Sequence, residues 1–370
     1  MIQIIASLLL FLYSYTQTDL NMTLSRVGIL QAVQKVFQNI GYYQRPLSMW
    51  LYLGLLVILF AVYGKILAHI RNNKIDEKQF WRIVLVTSAI LLFSYPAFSY
   101  DMFNYMFTAK TVVVYHQNPY EVIPLQFSDI DVWTNFMRWT HLPSAYTPFW
   151  IALTVPAYIL GFGFLLTTMW SIKLLVLLFH LATIVGIGKI LKRIEPKYKV
   201  LGMAIFAFNP LIIVEDLVSS HNDVVMMAFA VWAIVFFLEK KKLASWFALS
   251  LSVAAKLITA AIIPVWFFIG KKSWRNWILI FMVGGLLAVI ATREVLPWYW
   301  VWIVPFIAIL PSNSTLTSFS SAVSLGLLLR YAPFLYAGSW DPPALILKNI
   351  GTVLPIAVWT LIRFRRELWS

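Results

Sequence analysis

Apolar residues fall in long runs along this chain, separated by short polar and basic stretches. A helix needs about 20 apolar residues to cross the hydrocarbon core of a bilayer, and fewer where neighbouring protein covers its ends. On that measure the chain holds about twelve candidate crossings. They lie at residues 2–15, 47–69, 83–99, 165–190, 200–215, 223–238, 243–255, 257–270, 276–292, 299–311, 314–331 and 343–362. The first lacks the basic flank and small-residue cleavage site of a signal peptide, so it reads as a crossing. Within 20–45, Val27, Leu30, Val33, Phe37 and Ile40 recur at helical spacing, which predicts an amphipathic helix on the outer surface. The apolar stretch that opens at Pro148 is short and Gly-flanked, and is expected to dip into the outer leaflet. No fixed repeat, low-complexity tract or large soluble domain interrupts the pattern. The expected fold class is all-α: a polytopic transmembrane helix bundle forming a single integral membrane domain over 1–370, with short outer-leaflet and surface helices.

Composition sharpens this. The chain is 61% hydrophobic and 12% charged, with a mean hydropathy of +0.79, where soluble domains sit near half apolar and a quarter charged. The net charge of +14 would suit nucleic acid only on a soluble fold with a basic face, and here the bases fall in clusters between apolar runs. Nucleic acid is therefore excluded as a partner, and membrane lipids take its place. The absence of cysteine removes disulfides and thiolate chemistry.

Lys and Arg in short loops mark the cytoplasmic side. Five clusters do so: Arg71 to Arg82, Lys189 to Lys199, Lys240 to Lys242, Lys271 with Lys272 and Arg275, and Arg363 with Arg365 and Arg366. The segment count puts all five on one side, and most of the acids on the other. The expected location is the plasma membrane, spanned many times, with 100–147 as an extracytoplasmic loop and the chemistry on that outer face.

Several residues there can carry chemistry. Asp101 follows an apolar segment, with Asn104 and Tyr105 one helical turn on. A carboxylate half withdrawn from water can serve as a general base, since desolvation raises its proton affinity; the plain alternative is a helix N-cap. His116-Gln-Asn-Pro-Tyr-Glu121 reads as a loop corner from which Glu121 could face a cleft. In Ser219-Ser-His-Asn-Asp223, His221 and Asp223 stand close to Glu215 and Asp216, as a capping motif or as a binding site. A divalent cation would fit such a cluster, but no metal-ligand spacing supports one, and no cofactor is expected. Lys256 lies mid-way along an apolar stretch whose two ends carry basic clusters. The stretch must then fold as a hairpin with Lys256 near its outer tip, where an ammonium can meet a phosphate. Arg293, before a Trp-rich run, is either a second phosphate ligand or an ordinary interfacial Arg.

The ordered set Ser-Tyr-Asp-Met-Phe-Asn-Tyr105, Gln-Asn-Pro-Tyr120, Ala-Tyr-Thr-Pro148, Asn-Pro-Leu211, His-Asn-Asp223, Lys256 and Pro-Trp-Tyr299 resembles the polyprenyl-phosphate-mannose-dependent mannosyltransferases of the GT-C superfamily. The likeness covers about 95 to 300. It implies a polytopic enzyme that moves a hexose, mannose above all, from a polyprenyl-phosphate sugar donor to an extracytoplasmic glycan or lipid-linked acceptor, with inversion. Asp101 matches the base of that family. Ala-Tyr-Thr-Pro148 departs from the Tyr-Gly-Pro common among such enzymes. The rival class is a transporter or flippase for a lipid-linked or sugar substrate, for which broken helices and intramembrane polar groups are equally expected.

Overall fold

The computed structural model describes residues 1–271 and 273–368, with side chains to residue 365; Lys272 and the Arg366 side chain lie outside the described residues. Among these, every regular element is helical. The order begins α1 (Ile2–Ser14), α2 (Gly28–Gln38), α3 (Arg45–Arg71), α4 (Glu77–Leu92), α5 (Asp101–Val113), α6 (Pro148–Leu160), α7 (Leu165–Ile194) and α8 (Lys199–Ala207). A short α9 (Pro210–Ile212) then runs into a π-helical turn, Ile213–Val218. There follow α10 (Asp223–Leu238), α11 (Lys242–Ala255), the 3-10 segment Leu257–Phe267, α12 (Trp274–Ile290) and the 3-10 segment Pro297–Trp302. The chain closes with α13 (Val304–Ala308), α14 (Ser314–Leu329), α15 (Tyr331–Ala337) and α16 (Ala344–Leu368).

Helix starts follow the local chemistry. Asp76 and Gln79 form a reciprocal capping box on α4. Thr147, Asn209 and Asn313 cap α6, α9 and α14, and Pro148 and Pro210 occupy first-turn positions that lose no hydrogen bond. The α10 sequence is apolar on all sides, and it is accordingly buried on nearly all sides. Gly202 lets α8 press against its neighbours: a Cβ there would stand 2.1 Å from Leu191 and 2.5 Å from the Ala308 carbonyl.

Among the described residues three helices are long and apolar enough to cross a membrane: Arg45–Arg71, Leu165–Ile194 and Ala344–Arg365, of 27, 30 and 22 residues. Pro196–Ala207 with Pro210–Val218, bent by 50°, makes a fourth if read as one broken span. The other apolar helices have 10–17 residues. At 1.5 Å per residue these reach at most about 25 Å, short of a 30 Å core, so the structure does not support a count of about twelve full crossings. One expected segment also ends early. The 83–99 run stops as a helix at Leu92, because Pro96 forbids helical geometry before it, and residues 93–100 form the turn that delivers Asp101.

The surface helix is shorter than the 20–45 expected. In α2, Gln34 and Gln38 bond back to the backbone of residues 18–24, while Val27, Ile29, Leu30, Val33 and Val36 face outward.

The basic clusters meet at one end of the bundle. Lys199 pairs with Glu77 at 2.6 Å, Arg193 with Glu239 at 3.6 Å, and Arg275 with Glu195 at 2.8 Å. Arg275 also bonds the Ile309 carbonyl just before α14. The α16 helix runs antiparallel to α14, with Trp359 bonded to Ser318 and Arg330 to Thr352, so Arg363 and Arg365 finish at that same end. From there α8 through the π turn, α10, α11 and α12 each lead to one opposite pole. Over the 16 residues of α10 the separation is about 24 Å.

Candidate functional site

At that pole lies a cavity of about 990 Å³. Its polar wall holds Asp101, Asn104, Tyr146, Lys256 and Arg293; an apolar wall of Leu257, Ile258, Ala261, Gly285 and Val289 runs from it between the 3-10 segment and α12.

Asp101 is the first residue of α5, and Asn104 shares its face. The Asp101 side chain is 19% exposed, opening on the cavity. Its Oδ1 accepts from the Tyr146 hydroxyl at 3.2 Å, and its Oδ2 stands 3.3 Å from His221 Nδ1. Asp101 is thus not simply a helix cap, since its oxygens turn to side chains across the bundle.

His221 is fully buried. Ser220 before it takes a left-handed φ of 58°, costly for a residue with a Cβ, and this turn helps direct the imidazole towards α5. The ring stacks on Trp298 with centroids 4.0 Å apart. Its Nε2 faces Glu215 Oε2 at 3.3 Å, and Glu215 Oε1 accepts from the Tyr331 hydroxyl at 2.9 Å. Both contacts of the ring lie off the line of an ideal N–H donor and act as ionic contacts. Burial opposes a charge on this ring, but the two carboxylates outweigh it and push the His221 pKa up from 6.5 to about 9.

The same contacts act in reverse on Asp101. Burial would raise its pKa, yet the contact and charge of His221, the charge of Lys256 and the Tyr146 hydroxyl hold it below the ordinary 3.8. The expectation that desolvation raises its proton affinity is therefore corrected: opposite charge wins over burial, and Asp101 stays ionised.

Lys256 occupies the break between α11 and the following 3-10 segment, in extended geometry. Trp266 bonds Ser245 at 2.9 Å across the two arms, so the stretch is a hairpin with Lys256 at its turn. Its ammonium pairs with Asp223 at 2.6 Å and is itself 28% exposed, while the Asp223 side chain is fully enclosed. Asp223 also accepts from the Trp302 indole N–H. Thr147 ties the loop before α6 to this turn through the Ala255 carbonyl. Arg293 stands exposed on the cavity rim.

Tyr105 lies behind the wall, edge-on to Tyr146 and Trp150, and receives the Asn222 backbone N–H. It supports the site without reaching the cavity. Glu121 is not brought there: it is exposed and bonded by Asn118 at 2.6 Å within its own turn. Asp216 is also drawn elsewhere, pairing with His180 inside the bundle. Among the described residues no three His, Asp or Glu side chains are grouped to hold a metal ion. The sequence reading did not assign roles to Glu215, Tyr146, Trp298 or Tyr331. Tyr146 and Trp298 lay inside the quoted motifs, and Glu215 was visible as a carboxylate in an apolar run; Tyr331 carried no signal.

Fold and site together define an all-helical membrane protein whose cavity brings a carboxylate, two cations and a long apolar wall together. The chain is a member of the alpha-(1->6)-mannopyranosyltransferase family (MptA_B), whose N-terminal-domain profile matches residues 2–270. It is a mannose-transferring glycosyltransferase, as the motif resemblance implied. No curated protein and no solved structure matches it.

Proposed function

We propose that this enzyme is an inverting GT-C-type glycosyltransferase that moves mannose from a polyprenyl-phosphate donor to the 6-hydroxyl of a mannose-bearing glycan or lipid-linked acceptor. The α-(1→6) linkage comes from the family description. Asp101 takes the proton of the acceptor hydroxyl, whose oxygen then forms its bond to the anomeric carbon. The bond from that carbon to the phosphate oxygen breaks, and its electron pair leaves with polyprenyl phosphate. Lys256 and Arg293 meet the negative charge that gathers on the leaving group. Asn104 contacts the sugar, and His221 and Asp223 hold Asp101 and Lys256 in place. The prenyl chain lies along the apolar wall and enters from the bilayer. A single displacement that ends in an α linkage requires a β-linked donor.

One observation carries this reading: a carboxylate kept ionised by its neighbours, two cations and an apolar wall line one cavity. The separation of this pole from the basic ends supports an extracytoplasmic site in a multi-pass plasma-membrane protein. Membranes carrying the enzyme are to be supplied with polyprenyl phosphate bearing labelled mannose. Label appearing in a glycan or glycolipid product supports the reading; label crossing the membrane without transfer favours a carrier and overturns it.

A further inference from the structure

Glu215 takes no part in the reaction just described, yet it is fully buried and its carboxylate is aimed at the ring behind the base. Both acids lie on the π-helical turn and point apart: Glu215 faces His221, and Asp216 faces His180.

The ring has a carboxylate opposite each nitrogen: Asp101 at Nδ1 and Glu215 at Nε2, both at 3.3 Å. An ionised carboxylate only accepts, and a neutral imidazole has one N–H and one bare lone pair. A neutral ring would turn that lone pair on a buried carboxylate, whichever tautomer it chose. Only the imidazolium sets positive charge against both carboxylates, and the Trp298 indole it stacks on favours the charged ring further. The other charged groups around the cluster include Lys256 and Asp223, which pair with each other, and Asp216, which stands close to Glu215 and pairs with His180; of these Lys256 acts on Asp101. Tyr331 donates to Glu215 and Tyr146 to Asp101, so each carboxylate has a second anchor.

We propose that Glu215, anchored by Tyr331, is a positioning residue for mannosyl transfer: it obliges His221 to carry both ring protons, and the charged ring fixes Asp101 as an ionised carboxylate turned to the cavity. The inference rests on the reading of Asp101 as the base. Because the ring is already fully protonated, it cannot relay the acceptor's proton. Asp101 keeps that proton until it passes to water in the cavity onto which its side chain opens.

The test is Glu215→Gln, an isosteric change whose amide can donate to or accept from Nε2. The obligation to be doubly protonated then disappears. His221 should become neutral at lower pH, so the basic limb of the transfer rate against pH should move down by at least about one unit, the scale of one opposite charge at contact. The donor KM should stay within about twofold, since the residue does not reach the cavity. A purely structural role would lower the rate by one factor at every pH, and an unmoved basic limb overturns the proposal. If the variant does not fold, the unaltered site still decides. With His69, His116 and His141 replaced by Gln, two rings remain to be observed by nitrogen NMR, those of His180 and His221. Comparison with His180→Gln assigns the two signals; the His221 ring must be imidazolium at pH 8, and a neutral His221 ring would overturn the proposal. The two readings fail separately: full transfer by Asp101→Asn removes the base, whereas an inactive Asp101→Asn with an unmoved limb in Glu215→Gln removes only the role of Glu215.

Discussion

Lys256→Met separates the two duties of the ammonium at the hairpin turn. In the native chain Lys256 pairs with Asp223, whose side chain is fully enclosed and, among the described residues, has the Trp302 indole as its one other donor. Removing one partner of such a pair leaves an uncompensated buried charge, at a cost of about 3–5 kcal/mol. The single variant should therefore melt early, and a loss of activity in it would say little. Lys256→Met combined with Asp223→Asn removes both charges and keeps an acceptor for Trp302, so most of that stability should return. What should not return is donor affinity. A charge-assisted bond to phosphate contributes about 1.5–3 kcal/mol, so the donor KM of the double variant should stay about ten- to a hundredfold above native. The measurements are thermal unfolding of the purified protein in detergent and donor titration of the transfer rate. A double variant with native stability and native donor KM would refute the assignment of Lys256 to the phosphate.

Reporters active only outside the cytoplasm should work when fused after Tyr120 or Asp341 and fail after Lys74, Lys197 or Lys241; reversal at any two of these would overturn the charge-based orientation. Glu121→Gln should leave transfer within about twofold, because its carboxylate is taken up by Asn118 away from the cavity; a loss of tenfold or more would show that the 116–121 corner reaches substrate. Gly285 lines the apolar wall, and a Cβ there would meet Ile258 at 2.9 Å and Ala261 at 3.0 Å. Gly285→Val should therefore weaken transfer from a long-chain donor more than from a short-chain one, and equal effects would move the prenyl chain elsewhere. The paired charges also set the pH range of stability. The raised His221 contribution is fully present below its ordinary 6.5 and is lost as pH rises through about 9, whereas that of Asp101 is present above 3.8 and is lost as pH falls through its depressed value. Unfolding temperature should thus decline from near pH 6.5 towards 9, and a temperature flat across that range would contradict the charged ring.

Much of this was legible in the chain. Asp101 stands out because an acid directly after an apolar run must find a use, and Lys256 because basic clusters at both ends of its stretch force a turn in the middle. Helix starts were marked by Asp76, Thr147, Asn209 and Asn313, whose side chains bond the first free N–H groups. Other features depend on geometry that periodicity does not carry. Glu215 and Asp216 are adjacent in an apolar run, and which of them reaches His221 and which His180 depends on partners distant in sequence. Burial alone predicts a raised pKa for Asp101, and the opposite result needs His221, which is 120 residues away in sequence and beside it in space. Tyr331 reaches Glu215 from the start of α15, at the end of an apolar run whose pattern singles out no contact. Short helices were the other difficulty, since an apolar run of 14 residues such as α11 looks the same whether it spans a membrane or turns back within it.

The central claim is that one displacement at this cavity, with Asp101 as base, carries mannose from polyprenyl phosphate to a hydroxyl. The most direct measurement uses the purified enzyme in lipid vesicles, a β-linked polyprenyl-phosphate mannose as donor and a mannose-bearing acceptor. The anomer and linkage of the product are read by NMR for the native enzyme and for Asp101→Asn. The account predicts an α-(1→6) mannoside from the native enzyme and a rate at least about a hundredfold lower from the variant at equal protein level. A β-linked product, or an Asp101→Asn enzyme that turns over at the native rate, would contradict it.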